Sequence, residues 1–412
     1  MKKIRSEIIA IGNEILAGWT LNTNSHWISQ RLYEIGVTVE WMTTIADTEA
    51  EIIAALKLAD TRADIILCTG GLGPTPDDIT KSTIAGFFGS SLVTDEATLT
   101  HIKNLFAGRN LGMSPTNIKQ AVVPDNAELI FNPIGTAPGL MFTKNEKLFF
   151  FMPGVPGEMK QMINSFILDI ISARYQLDQL ETFILRTTGI PESRLFEKLA
   201  TVLNEGPDVP VSFLPKITGV DIKIRISRQP REVYQRVRTL CDQIRRIAGK
   251  YIYTETEQEM AQVLGNLLRT EHLTLSVAES FTGGSIASQI TDVPGSSEYF
   301  QGALICYSNE SKIKDLEVSA QTIQNYGAVS EETVREMLSG VRKMFQTDCA
   351  IATSGIAGPG GGTTAKPVGL AYVGALFRDK VLVKKFNFGK DRLINKDRGT
   401  MAGLESLRRL IL

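Results

Sequence analysis

Ser280 lies in the stretch Ala278-Glu-Ser-Phe-Thr-Gly-Gly284, directly after the apolar run Leu273 to Ala278. That run reads as a buried strand, and Ile286 and Ile290, four apart, open a helical pattern beyond Gly283 and Gly284. A strand, a small-residue turn and a helix N-terminus suit an anion, because free backbone N–H groups and the helix dipole both favour negative charge. A serine hydroxyl there is a poor nucleophile until a base takes its proton. The chain has only three histidines, and His272 alone falls in the last third, so the expected base is a lysine. Lys312 closes the run Tyr307-Ser-Asn-Glu-Ser-Lys312 after a second strand, and burial beside Ser280 would lower its pKa. The amides from Thr282 to Gly284 would then hold an oxyanion. Together these parts suit hydrolysis of an amide or ester. Taken singly, Tyr307 reads more readily as packing and Lys312 as a surface residue than as catalytic groups.

A third strand, Asp348 to Thr353, runs into Ser354-Gly-Ile-Ala-Gly-Pro-Gly-Gly-Gly-Thr363, a loop able to receive a phosphate or sugar. Near the other end lie Gly12-Asn13-Glu14, Asn22-Thr-Asn24 and Gly70-Gly71-Leu-Gly73-Pro-Thr75-Pro-Asp77-Asp78, with Gly135 and Thr136 in a later loop. Glycines let N–H groups converge on phosphate, and two acids beside such a loop call for a bridging divalent cation, with Asp77 and Asp78 as its ligands. Alternatively, one of these acids caps a helix starting at Ile79.

The elements that must position these residues alternate. Residues 1–170 read as strands and helices in turn, including Ile8 to Gly12, a helical face of Ile28, Leu32 and Ile35, a helix opened by Asp47, and a strand from Asp64 to Thr69. The pattern returns over 254–412 and ends in a helix from Arg392 towards Leu412. The expected fold class is α/β: two three-layer domains with mainly parallel or mixed sheets, whose ligands sit at the carboxyl ends of strands. Residues 171–253 read as a small α+β module, with two strands joined near Thr218-Gly219 and an arginine-bearing helix, serving as spacer or dimerisation element. No Gly-x-x-Gly loop of a nucleic-acid-binding KH module is evident in it, and its arginines fit a solvated helix face.

The 412-residue chain is 43% hydrophobic, enough for several cores, and its net charge of −1 makes direct binding to nucleic acid unlikely. Four scattered cysteines show no zinc or disulfide spacing, and no signal-peptide or membrane-spanning stretch is evident. A cytoplasmic protein without a membrane partner is expected.

Ala278 to Gly284, Tyr307 to Lys312, Gly327-Ala-Val-Ser330, Ser354 to Pro359 and Lys366-Pro-Val-Gly369 resemble a nicotinamide-nucleotide amidohydrolase domain. Asn13 to Leu16, Asn22 to Asn24, Gly70 to Asp78 and Gly135 to Gly139 resemble a molybdopterin-binding-like domain. In this order they make the whole chain similar to the competence/damage-inducible protein A (CinA) family. The resemblance implies deamidation of nicotinamide mononucleotide without a cofactor, with Ser280 as nucleophile, Lys312 as base and Tyr307 tied to activity. Thr282, Gly283, Gly284, Thr353, Ser354, Gly355 and Gly358 would serve the substrate, with a late arginine best matched by Arg392, near Lys396 and Arg398. For the N-terminal domain it implies ADP-ribose hydrolysis with a divalent metal, through Asn13, Glu14, Asn24, Gly70, Gly71, Gly73, Thr75, Gly135 and Thr136. Nucleotide or molybdopterin binding without turnover in that domain is the alternative. A homodimer is implied as well. Where the family has cysteine after the serine, this chain has Phe281.

Overall fold

Apolar runs such as Ile8 to Ile11 and Leu148 to Met152 are buried on both faces, and they form the central strands of a covered sheet. The computed structural model describes residues 4–75, 78–108, 112–175, 177, 180–227 and 230–412. It divides into two units, 1–180 and 181–412.

The first unit contains β1 (Arg5–Ile11), β2 (Thr38–Ile45), β3 (Ile65–Thr69), β4 (Leu92–Thr94), β5 (Val122–Pro124), β6 (Glu128–Ile130), β7 (Gly139–Lys144) and β8 (Lys147–Met152). Its main sheet runs β2-β1-β3-β8-β7-β6, parallel from β2 to β8 and antiparallel beyond. A short ribbon pairs β4 with β5. Alternate strand residues face opposite sides. Ile9, Cys68 and Phe151 pack with Ile52 and Leu56 of the helix Glu49–Arg62. Ile8, Leu67 and Phe150 pack with Ile28 and Leu32 of the helix Thr23–Glu34. The helix expected to open at Asp47 starts two residues later, because the Thr48 hydroxyl caps it by accepting from the Glu51 N–H. Asp47 turns elsewhere and accepts from the Asn13 N–H at 3.1 Å.

The second unit begins with β9 (Leu180–Thr188), β10 (Val211–Lys216), β11 (Gly219–Ser227) and β12 (Ile252–Thr254), in the order β10-β11-β9-β12. The β10–β11 hairpin pairs Lys216 with Gly219, so it turns at Ile217-Thr218 as expected. Leu195 and Leu199 of the helix Glu192–Asn204 and Val237, Cys241 and Ile244 of the helix Arg231–Ala248 cover this sheet. On that second helix Arg245 pairs with Asp242 and Glu255 at the surface.

Next comes the sheet β14-β13-β15-β16-β17, built from β13 (Leu275–Glu279), β14 (Phe300–Ile305), β15 (Cys349–Gly355), β16 (Leu370–Phe377) and β17 (Lys380–Asn387). β13 lies parallel to both β14 and β15, while β16 and β17 return antiparallel as a hairpin. Val277 and Ile351 pack with Leu264, Ile286 and Leu404, and Ala278 and Ala352 pack on the other face with Val334, Met337 and Leu338. Helices therefore cover both faces, giving three layers.

The middle module is tied to the segment that leads into this second sheet. Arg186 on β9 is fully buried; its guanidinium donates to the carbonyls of Glu257 at 3.0 Å and Gln258 at 2.7 Å and to the Glu259 carboxylate at 2.7 Å. It also pairs with buried Asp221 at 3.3 Å. Removing one partner of a buried ion pair strands the other's charge. Arg186→Ala is expected to lower unfolding stability by about 3 kcal/mol, the low end of that effect, because Lys216 still reaches Asp221 at 2.9 Å. Denaturant unfolding measures it; a change within about 0.5 kcal/mol, the usual range for a surface substitution, would show that the network is dispensable.

Candidate active site

Parallel register sets three strand ends level: Glu279 on β13 lies opposite Ile305 on β14 and Thr353 on β15. The next residues, Ser280 and Cys306, therefore leave the sheet together, beside Ser354 of β15, which stays paired to β16 through Gly355. The Ser280 N–H donates to the Thr353 carbonyl at 3.1 Å, and the Cys306 N–H to the Glu279 carbonyl at 2.9 Å.

Lys312 comes from the helix Asn309–Leu316, capped by the Ser308 hydroxyl accepting from the Ser311 N–H. Its side chain runs back beneath β14 and is 1% exposed. The Nζ donates to the Cys306 carbonyl at 2.8 Å, the Tyr307 carbonyl at 3.3 Å and Ser280 Oγ at 3.2 Å. Ser280 itself is 8% exposed. Burial holds the Lys312 pKa below the ordinary lysine value, and the nearby Cys306 and Tyr307 only partly oppose this. Burial also pushes the Cys306 thiol up to about 11, so it is uncharged at neutral pH.

The turn after Ser280 differs from expectation in one respect. The Glu279 carboxylate, with no exposure, accepts from the N–H groups of Gly284 at 2.9 Å, Ile286 at 3.1 Å and Ala287 at 2.9 Å. The Gly283 N–H goes to the Ser280 carbonyl at 3.1 Å. The helix Ser285–Thr291 thus already has its anion, and the amides of Gly283 and Gly284 are not available to an oxyanion. A neighbouring carboxylate satisfies the same donors and dipole that would attract a ligand. Among the described residues, the amides of Phe281 and Thr282 are the turn donors without a hydrogen-bond partner.

The other residues singled out for this site surround it at different depths. The hydroxyls of Thr282 and Thr353, both fully buried, bond each other at 2.8 Å. Ser354 is also buried and donates to the Ala328 carbonyl at 2.6 Å, while Gly355 pairs with Ala371 in the sheet. Tyr307 is 62% exposed, and its hydroxyl accepts from Arg392 at 3.1 Å. Arg392 also donates to the Gly358 carbonyl at 2.7 Å, joining two loops to the start of the last helix at the rim. Of the other late cations, Lys396 also reaches the turn, beside Gly283, whereas Arg398 donates to the Ile217 carbonyl of the middle module at 3.3 Å. Phe281 is buried with Ala357, Ala371 and Val373. It also fills the space left by Gly399, where a Cβ would collide with its ring, so it anchors the turn to the last helix.

In the first unit a cleft of about 670 Å³ opens at the ends of β1, β3 and β8. Asn13, Glu14, Asn24, Gly70, Gly71, Gly73, Thr75, Asp78 and Thr136 line it, as the sequence pattern predicts. Gly135 does not line it. Its N–H donates to Asn132 Oδ1 at 3.0 Å, and it backs onto the Glu158 carboxylate. Asp77 lies outside the described residues. Asp78 is not the helix cap considered above: its Oδ2 accepts from the Thr75 N–H at 2.9 Å and hydroxyl at 2.5 Å, and the helix Thr80–Phe87 starts without a side-chain cap.

Asp47, Gln120 and Glu158 also line the cleft, from the loop after β2, a short 3-10 turn and the helix Pro156–Met162, and no shared spacing joins them as a set. Lys81 is half-buried nearby, donating to the Gln120 carbonyl at 3.0 Å, and desolvation pushes its pKa down to about 8. Among the described residues no three His, Cys, Asp or Glu side chains gather as a metal cluster. The acids lining the cleft are Glu14, Asp47, Asp78 and Glu158, a hard-oxygen set. They fit a magnesium-like ion that keeps waters and phosphate oxygens and takes one or two protein carboxylates.

Residues 257–411 match the family described as "CinA C-terminal domain", and residues 7–173 match "Probable molybdopterin binding domain". Residues 182–254, which lack a Gly-x-x-Gly loop, match "Damage-inducible protein CinA KH domain". The CinA-like protein of Kosmotoga olearia is 38% identical over 410 residues, covering 99% of each chain. That of Dictyoglomus thermophilum is 36% identical over 410 residues, covering 99% of this chain and all of the other. The solved protein CinA of Thermoplasma acidophilum is 34% identical, covers 41% of this chain and 99% of its own, and superposes with a TM-score of 0.38. Matched from end to end by such relatives, the chain belongs to the CinA family.

Proposed function

We propose that the C-terminal domain hydrolyses the amide of nicotinamide mononucleotide to nicotinate mononucleotide and ammonia. The supporting observation is the buried Lys312 amine, 3.2 Å from Ser280 Oγ and bonded to two carbonyls. An uncharged amine has two N–H donors and one lone pair. The carbonyls of Cys306 and Tyr307 take the donors, which leaves the lone pair for the Ser280 hydroxyl proton. Ser280 Oγ attacks the carboxamide carbon while Lys312 takes that proton. The tetrahedral oxyanion finds the amides of Phe281 and Thr282 as the remaining turn donors. Collapse breaks the C–N bond, and Lys312 returns the proton to the departing nitrogen as ammonia. Water, deprotonated by the same amine, then cleaves the acyl-serine ester and restores the hydroxyl. Arg392 on the rim suits the substrate phosphate, because a guanidinium offers paired donors to an anion.

For the first unit we infer a nucleotide site that cleaves the pyrophosphate of ADP-ribose with a divalent metal. A metal there would draw charge from the phosphates, and the Gly70–Thr75 loop would hold them in place. Nucleotide or pterin binding without turnover is the competing reading of this cleft. The protein would act in the cytoplasm on small nucleotides, as a homodimer.

Ser280→Ala is expected to reduce ammonia release from nicotinamide mononucleotide by about 10⁴-fold or more while the thermal unfolding midpoint stays put. Undiminished release in that variant sinks the assignment. Lys312→Met should lose about 10²- to 10⁴-fold, the usual worth of a positioned general base. In the wild type kcat/KM should rise with pH as Lys312 loses its proton, with an apparent pKa below the ordinary lysine value of about 10.4. A profile flat up to pH 10 in the wild type contradicts a lysine base. In the first unit, Asp78→Ala should lower metal-dependent ADP-ribose hydrolysis by roughly 10- to 100-fold. Hydrolysis that survives excess chelator removes the metal from this reading.

A further inference from the structure

Trp19 is a large aromatic side chain left 84% exposed, and it lines the polar cleft of the first unit. The backbone beneath it is held firmly. The N–H groups of Trp19 and Thr20 both donate to the Glu14 carbonyl, at 2.9 and 3.2 Å, and the Gly18 N–H donates to the Ile15 carbonyl at 3.1 Å. The indole is therefore carried by a turn whose backbone is already ordered before anything binds.

Two acceptors in the same cleft are buried and have no hydrogen-bond partner, Asn24 Oδ1 and Gln120 Oε1. Asn24 Nδ2 donates to the Gly154 carbonyl at 2.8 Å, which orients its amide oxygen as the unpaired atom. Leaving such acceptors unpaired costs free energy that a ligand's hydroxyl or amino hydrogens would recover. The cleft thus combines a glycine loop suited to phosphate, acceptors suited to hydroxyl or amino groups, and a bare aromatic face at its wall.

We propose that Trp19 is the stacking platform for the planar nitrogen heterocycle of the ligand, and so determines which phosphorylated compounds the cleft selects. This rests on the reading of the cleft as a nucleotide site. Ribose and phosphate contacts are shared by all nucleotides, so discrimination for a ring falls to a group that contacts its face. An aromatic face does this through dispersion and quadrupole contacts, without needing any particular edge pattern.

Titration of the full chain with AMP, with ribose 5-phosphate and with neopterin tests this by calorimetry. AMP should bind the wild type, and Trp19→Ala should weaken it by about 5- to 100-fold, the usual worth of one stacked base. Trp19→Phe should recover most of the loss, and ribose 5-phosphate affinity should not change in either variant. Dependence on Trp19 for neopterin instead of AMP supports the platform and assigns the ring to a pterin. Unchanged affinity for both rings in Trp19→Ala, while ribose 5-phosphate still binds, overturns the platform and leaves the phosphate site standing. Failure of all three to bind the wild type overturns the nucleotide reading and the platform together. A shift in oligomeric state on Trp19→Ala with ring affinity intact assigns the exposed indole to a protein contact and also overturns the proposal.

Discussion

Glu279 is a carboxylate with no exposure at the last position of a central strand, and the geometry of the C-terminal site depends on it. A buried carboxylate is tolerated only if its lone pairs are filled, and three amides of the following helix fill them. Those bonds fix the helix start relative to the strand end. The turn between them then has almost no freedom, and Ser280 is its first residue. The same strand end sets the neighbouring loop, because the Glu279 carbonyl accepts from the Cys306 N–H. Cys306 in turn presents its own carbonyl to Lys312. One backbone and side-chain junction therefore positions both the hydroxyl and the amine.

Lys312 illustrates how burial changes the function of a common residue. An ammonium in this position would be bonded to three acceptors, so hydrogen-bond count alone does not favour the neutral amine. Desolvation decides the direction, since taking the charge out of water outweighs the opposing influence of Cys306 and Tyr307. The helix cap at Ser308 and the packing of Leu316 hold the stem, so the amine cannot relax outwards to water. Phe281 acts in the same sense from the opposite side. Its ring seals the turn against the last helix at Gly399, where a cysteine would leave volume unfilled.

The strand–turn–helix at Ser280 was legible because apolar runs and four-residue spacing report burial directly, and the scarcity of histidine pointed to Lys312. The alternation of strands and helices likewise made both α/β sheets readable. Glu279 was not legible as a cap. An acid beside a glycine turn has the composition of a surface loop, and its partners lie five to eight residues on, inside the segment read as an anion site. Asp78 shows the reverse: an acid before a helix is often a cap, the alternative weighed for it, yet Thr75 offers it both an N–H and a hydroxyl. The docking of the middle module depends on Arg186 meeting Asp221 and Glu259, 35 and 73 residues away. No local spacing encodes such pairs. Asp47 and Glu158 reach the N-terminal cleft for the same non-local reason, one from the loop after β2 and the other from the helix after β8.

The two sites are built on different physical terms. Around Ser280 nearly every donor and acceptor is engaged by the protein itself: Thr282 with Thr353, Ser354 with Ala328, Glu279 with the helix. A site with its groups engaged in advance has little reorganisation left to do, which is what stabilising a short-lived oxyanion requires. The N-terminal cleft keeps groups unengaged: two buried amide oxygens have no partner and an indole lies bare to water. Unsatisfied groups destabilise the empty protein, and that cost is recovered only when something binds. The first arrangement is settled in advance, and the second leaves groups open to whatever enters the cleft. A sequence reading ranks residues by chemical type and therefore finds the first kind of site more readily. Amide oxygens and a tryptophan carry no reactive chemistry, and only their state of satisfaction in the fold marks them.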